Sequence, residues 1–292
     1  MSLPVSPTSR ISASQSIGDI LVAAGRLRIE DAARIIELQK SENLQFGDAA
    51  ISLKLLTKDD IDFALSKQFG YSYLTDLDTS LSPELVAAYK PFSKVGENLR
   101  AVRSQLMLRW FNTDPSRKVL AVVSPGSQEG RSFIAANLAI VFAQHGERTL
   151  LIDGDLRASP DRGQHALFKL GKSAGLSGIL AGRSGLEAAQ RVPGLPNLAI
   201  LPAGTVSPNP QELLGRAAFG ILQQFARQQF EVVIIDTPAA IHFSDAEIIA
   251  SQAGAALMVA RKNQTLLQQA SSLARRLQDT GVNVVGSVLN DA

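Results

Sequence analysis

Val119-Leu-Ala-Val-Val123-Ser124-Pro-Gly126-Ser-Gln128-Glu-Gly130-Arg131-Ser132 is an apolar run of five, a turn of small residues, and the start of a helix-compatible stretch. Two later segments repeat the apolar run and close it with acid: Leu150-Leu-Ile-Asp153-Gly-Asp155-Leu-Arg157 and Val232-Val-Ile-Ile-Asp236-Thr-Pro238. Between and after them lie further apolar runs at 198–201, 255–259 and 282–288. Helix-like stretches at 132–144, 211–228, 244–251 and 266–280 separate the runs. Strands apolar on both faces, alternating with helices, predict an α/β domain with a mostly parallel sheet covered on both sides.

Ligands of such sheets bind at the carboxyl ends of the strands, where all three segments carry their polar residues. A glycine-rich turn between strand and helix lets backbone N–H groups wrap phosphates, as in a P-loop. A lysine there normally reaches the outer phosphates, and a Ser or Thr hydroxyl binds magnesium. Gly126, Gly130 and Ser132 fit that chemistry, while Arg131 stands in the lysine slot and Pro125 in the first glycine slot. An aspartate closing an apolar strand, as Asp236 does, is where a magnesium-water ligand sits. Taken singly, each aspartate reads equally well as a helix cap or turn former.

The order and wording of these segments resemble the bacterial tyrosine kinase family of exopolysaccharide chain-length control, related to the MinD/ParA ATPases. The resemblance covers roughly residues 90–292. Further marks are Glu97-Asn-Leu-Arg100-Ala-Val-Arg103, Ala136-Asn137-Leu138-Ala139, Asn209-Pro210-Gln-Glu-Leu213-Leu214 and Val288-Leu289-Asn290-Asp291. It implies ATP or ADP with Mg²⁺ as ligands, held by Gly126, Gly130, Arg131 and Ser132. Ser132, Asp153 and Asp236 would arrange the metal, and Asn290 would contact the base. Asp155 would orient or deprotonate a tyrosine hydroxyl, making Asp153, Asp155 and Arg131 the catalytic set. Glu97, Arg100 and Arg103 would form subunit contacts in a ring, although their spacing also allows pairing within one helix. The family's usual target is a tyrosine-rich C-terminal tail; here the tyrosines are Tyr71, Tyr73 and Tyr89, ahead of the catalytic half.

Two readings follow. One is an ATP-dependent kinase working with a membrane chain-length determinant. The other is a degenerate regulatory subunit, because Arg131 replaces lysine and Gln128 adds a side chain where the family loop usually has glycine. A MinD/ParA-type positioning ATPase is a third, less favoured by the Glu97–Arg103 segment.

Residues 16–39 and 45–68 repeat at an offset of 29, aligning Gly18 with Gly47, Asp19 with Asp48 and Gln39 with Gln68. Each copy predicts a short helix, a turn, an acidic helix start and a second amphipathic helix, with Thr57 as an N-cap. Two copies bury faces that neither buries alone. The repeat resembles the N-terminal domain of type II secretion and type IV pilus ATPases, some of which bind cyclic di-GMP through 24-residue motifs separated by five. This spacing is kept, but Ser16 replaces the first motif's leading arginine and Lys54 a glycine of the second. The alternative is a helical docking module. The expected organisation is a flexible tail (1–10), a helical repeat domain (11–75), a linker (76–95) and a P-loop domain (96–292).

The 29 basic and 27 acidic residues give a net charge of +2, which disfavours a basic nucleic-acid surface. Without cysteine there is no disulfide or thiolate metal site, and His145, His165 and His242 are scattered. The longest uncharged apolar stretch, 132–146, is too short to span a bilayer. A cytoplasmic protein without direct membrane insertion, tied to the inner membrane through a partner, is the expectation. Arg261-Lys262 follows a strand and receives no assignment.

Overall fold

The computed structural model describes residues 16–69, 73–74, 78–159 and 162–291 of the 292. The expected tail at 1–10 lies outside them. The chain divides into two compact units, the first ending at Ser72 and the second beginning at Tyr73.

The first unit is four helices: α1 (Ile17–Ala23), α2 (Ile29–Glu42), α3 (Phe46–Ser52) and α4 (Lys58–Phe69). Its core of Ile20, Leu21, Leu27, Ile35, Ala49, Ala50, Leu56 and Ala64 draws on both copies of the repeat. The helix starts are chemically set. Ser16 accepts from the Asp19 amide and donates to its carboxylate, a reciprocal cap. Thr57 makes the same pair of bonds with Asp60.

The second unit opens with α5 (Val86–Tyr89) and α6 (Lys94–Arg109). It continues through β1 (Val119–Val123), α7 (Arg131–Gln144), β2 (Thr149–Asp153), α8 (Gly163–Leu167) and α9 (Gly175–Leu180). Then come β3 (Gln190–Val192), β4 (Leu195–Leu201), α10 (Pro210–Leu214), α11 (Ala217–Gln229) and β5 (Val232–Asp236). The chain closes with α12 (Asp245–Ala253), β6 (Ala255–Arg261), α13 (Leu267–Asp279) and β7 (Asn283–Asn290). The seven strands run in the order β3-β4-β2-β5-β1-β6-β7. All pairings are parallel except β3 with β4. Two apolar clusters, one on each face, bury the sheet, as doubly covered parallel strands require.

Three features depart from the sequence reading. The edge strand β3 was not expected, its Gln190-Arg191-Val192 being mostly polar. The single helix expected over 211–228 is two, broken at Gly215-Arg216. Within the expected linker, Leu81, Leu85, Ala87 and Ala88 are buried in the sheet unit's core. Asn137 holds that segment, accepting from the Ala87 amide (2.9 Å) and donating to the Glu84 and Phe133 carbonyls. Trp110, after α6, is buried and donates from Nε1 to the Val119 carbonyl (3.0 Å).

Candidate nucleotide site

Topology assembles the three polar segments. β5 lies between β1 and β2, with Asp236 in register with Val122 on one side and Asp153 on the other. In-register residues of neighbouring parallel strands share a face, so two carboxylates end up side by side. Burial, and then the Asp236 charge, push the Asp153 carboxyl up to about 8. Its oxygens accept from the Asp155 amide (3.2 Å) and the Gln164 amide (3.0 Å). Asp155 is raised too, chiefly by burial, and its Oδ1 accepts from the Arg157 amide. Arg157 itself is bidentate on Asp245 (2.8 and 3.3 Å) and stacks on Phe243.

The loop between β1 and α7 is held from outside, carbonyl by carbonyl. Gln264 donates to Ser127 O (3.0 Å), Arg261 to Gln128 O (3.0 Å), and Asn290 to Glu129 O (3.2 Å). A trans peptide points its carbonyl and its following N–H in opposite directions. The amides of Gln128, Glu129 and Gly130 therefore face away from these three props, toward the concave side. Among the described residues, no amide from Ser127 to Phe133 donates a hydrogen bond. Gln128 (φ +60°) and Gly130 (φ +87°) give the loop the left-handed steps of an anion-binding nest. At that φ any side chain on Gly130 would be strained, and its Cβ, 2.1 Å from Asn290 Nδ2, would push Asn290 off the loop. Glu129 braces the interior. It is buried, and its carboxylate accepts from the Gly126 amide (2.7 Å) and the Thr265 hydroxyl.

That brace makes a testable demand. Thr265→Val removes the donor to Glu129 and the acceptor of the Arg261 amide (2.7 Å), and leaving those groups without this partner costs about 1–3 kcal/mol of stability. Urea unfolding of the two proteins reads it directly; equal midpoints would show that the Thr265 hydroxyl contributes nothing.

Arg131 turns inward. Its Nε meets Asp236 Oδ1 (3.2 Å) and its Nη1 the Ser124 hydroxyl (2.9 Å). The other Asp236 oxygen accepts from Gln164 Nε2 (2.8 Å), a fully buried side chain that also reaches Ser132 O. Among the described residues, Gln164 Oε1 has no hydrogen-bond partner. Ser132, Asp155 and Asp236 line one open cleft of about 530 Å³.

The structure thus brings together Arg131, Ser132, Asp153, Asp155 and Asp236, with Gly126 and Gly130 in the adjoining loop. Asn290, expected at the nucleotide base, stands behind the loop. Glu97, Arg100 and Arg103 share α6 but do not pair with one another. Glu97 is exposed, Arg100 donates to Pro91 O, and Arg103 is buried against Glu147 (2.6 Å). Sequence reasoning missed Glu129, Gln164, Arg261, Gln264 and Thr265; nothing in their local context marks them.

CapB of Staphylococcus aureus, a tyrosine-protein kinase by name, is 31% identical over 215 residues, covering 73% of this chain and 90% of CapB. The chain belongs to the bacterial tyrosine kinase family. Tyrosine-protein kinase Wzc of Salmonella typhimurium is 34% identical over 207 residues, 71% of this chain. The match spans only 28% of Wzc, so the chain corresponds to a fraction of that bacterial tyrosine kinase. The solved kinase domain of Escherichia coli tyrosine kinase ETK superposes with a TM-score of 0.68 at 29% identity, over 77% of this chain and 92% of that domain. No protein-family model matches. The mostly parallel sheet is the ground that this chain shares with that solved tyrosine kinase domain.

Proposed function

We propose that this chain binds ATP with magnesium and acts as a tyrosine-kinase-like protein in exopolysaccharide chain-length control and export. One observation carries the reading: a row of undonated loop amides opens beside Ser132, Asp155 and Asp236. Backbone N–H groups at a helix start are a phosphate site, and the residues present fit one. The Ser132 hydroxyl makes no hydrogen bond among the described residues and shares its cleft with Asp236, so both suit a hard, oxygen-seeking cation. Asp153 lies behind them as a buried support. Bound magnesium would neutralise phosphate charge. The loop amides would hold the phosphates, and Arg131 would draw the Asp236 carboxylate into place. Asp155, its proton affinity raised by burial, would accept the proton of a tyrosine hydroxyl.

The proposed setting is the cytoplasmic face of the inner membrane, reached through a membrane chain-length determinant, with the helical front unit as a docking module. Among the described residues no helix is long and apolar enough to cross a membrane. Cyclic di-GMP is left out of this reading. Ser16, which stands where the ligand-binding motif has arginine, is committed to its helix cap. Ring assembly, if it uses α6, rests on Glu97, because Arg100 and Arg103 are engaged within the chain.

A second reading, a regulatory subunit without turnover, is favoured by one fact: both Asp236 oxygens are already satisfied by Arg131 and Gln164. Calorimetric titration with ATP and magnesium separates the two. Micromolar binding that Arg131→Ala abolishes, with phosphate release falling roughly 10²–10⁴-fold in Asp155→Ala, is the expected result. A folded protein that takes up no nucleotide would leave the regulatory reading standing.

A further inference from the structure

Three arginines line the two clefts on either side of Ser132. Arg131 lines one, Arg157 the other, and Arg162 both. Two of the three are already neutralised: Arg131 by Asp236, and Arg157 by Asp245. Arg162 is exposed, and among the described residues its side chain has neither an ion pair nor a hydrogen bond. No sequence motif singled it out.

The charge balance of the site gives this leftover cation a use. Asp153, Asp155, Asp236 and Glu129 crowd the strand ends, and the one cation supplied by the loop is spent on Asp236. A polyphosphate arriving at the loop amides brings still more negative charge. Amides alone are weak partners for it; a guanidinium, with its planar fork of donors, is a strong one. We infer that Arg162 is the residue that meets the outermost phosphate of a bound nucleoside triphosphate.

The position selects the outermost phosphate over the inner ones. The cleft that Arg162 shares with Gln128, Gly130 and Ser132 follows the amide row. The cleft that it shares with Asp155 and Asp236 holds the proposed proton acceptor. A phosphate that is to be transferred beside Asp155 must lie where those two clefts meet, at Ser132, and Arg162 stands at that junction. The backbone beneath it is fixed, because the next-but-one amide, that of Gln164, is bonded to Asp153 and the Gln164 side chain is buried. In this arrangement Arg131 serves the aspartate and Arg162 the phosphate, two duties that a single lysine would otherwise have to share.

The inference rests on the nucleotide reading above, and titration can separate the two. ATP and ADP, each with magnesium, are titrated into the wild type, Arg162→Ala and Arg162→Lys. Arg162→Ala should lose roughly tenfold to a hundredfold in ATP affinity while its ADP affinity stays within about twofold. Arg162→Lys should recover part of the loss. Because the Arg162 side chain has no partner among the described residues, the urea unfolding curve of the variant should match the wild type. Equal ATP affinity in wild type and Arg162→Ala, or equal losses for ATP and ADP, overturns the role of Arg162 and leaves nucleotide binding intact. A wild type that binds neither nucleotide overturns the reading of the site and this inference with it.

Discussion

Asp153→Asn will make the ligand-free protein more stable at pH 8 and less stable at pH 4. The carboxyl is buried beside Asp236, which lifts it from an ordinary 3.8 to about 8. Between those values the unfolded chain releases the proton and the folded chain keeps it. Raising the pH through that window therefore erodes stability, and the erosion is complete only above about 8. At roughly 1.4 kcal/mol per pH unit, the accumulated cost approaches about 5 kcal/mol. Asparagine cannot ionise and escapes it. It also loses something, since its –NH₂ cannot accept from both the Asp155 and the Gln164 amides; one buried donor is orphaned, at about 1–3 kcal/mol. The net is a gain of about 3 kcal/mol at pH 8 and a loss near pH 4, where the folded carboxyl is protonated and the unfolded one has only begun to ionise, so that little of the pH-dependent cost has accumulated. Urea denaturation at pH 4, 6 and 8 shows whether the curves cross. A difference independent of pH would mean that Asp153 is ionised in the folded protein. Nucleotide binding should weaken in the same variant, which would make Asp153 a residue kept for the site at the expense of stability.

Phe142→Ala should destabilise the sheet unit by about 3–5 kcal/mol. Phe142 is fully buried in α7, whose residues from Ile134 to Ala143 have no exposed member. Its ring meets Phe111 edge-on, 5.3 Å between centroids, and Arg103 lies 5.7 Å from its centre. Truncation opens a cavity that backbone-locked neighbours cannot fill, and it strips cover from the Arg103–Glu147 pair. In that pair Arg103 Nε and Glu147 Oε2 already lack partners among the described residues. The control is Phe225→Ala on α11, a ring 54% exposed, where the change should stay within about 0.5 kcal/mol. If the two variants denature alike, α7 is not the packing centre that its burial indicates.

What the sequence made legible follows from how local each signal is. β1, β2 and β5 are runs of apolar residues ending in chemically distinctive turns, so the strands, and the position of Asp153, Asp155 and Asp236 at or just past their carboxyl ends, could be read directly. β3 could not, because an edge strand needs little apolar content and Gln190-Arg191 looks like loop. The break at Gly215-Arg216 was hidden because the periodicity on either side continues. Residues that shape the phosphate loop were beyond reach for another reason. Arg261, Gln264, Thr265 and Asn290 act on carbonyls and a carboxylate more than a hundred positions away, where only the placement of β6 beside β1, and of β7 beside β6, brings them. The same holds for Gln164, whose worth lies in touching two strand ends at once.

The hydrogen bond from Trp110 to the first residue of β1 has a practical side. It is the protein's one tryptophan, and it sits against the root of the strand that carries the phosphate loop. Its fluorescence therefore reports the melting of the sheet unit alone, since the helical unit has no indole to contribute. Far-ultraviolet circular dichroism weighs the helices of both units. Comparing the two signals in one denaturant series measures, without any label, whether the front helices come apart together with the sheet or ahead of it.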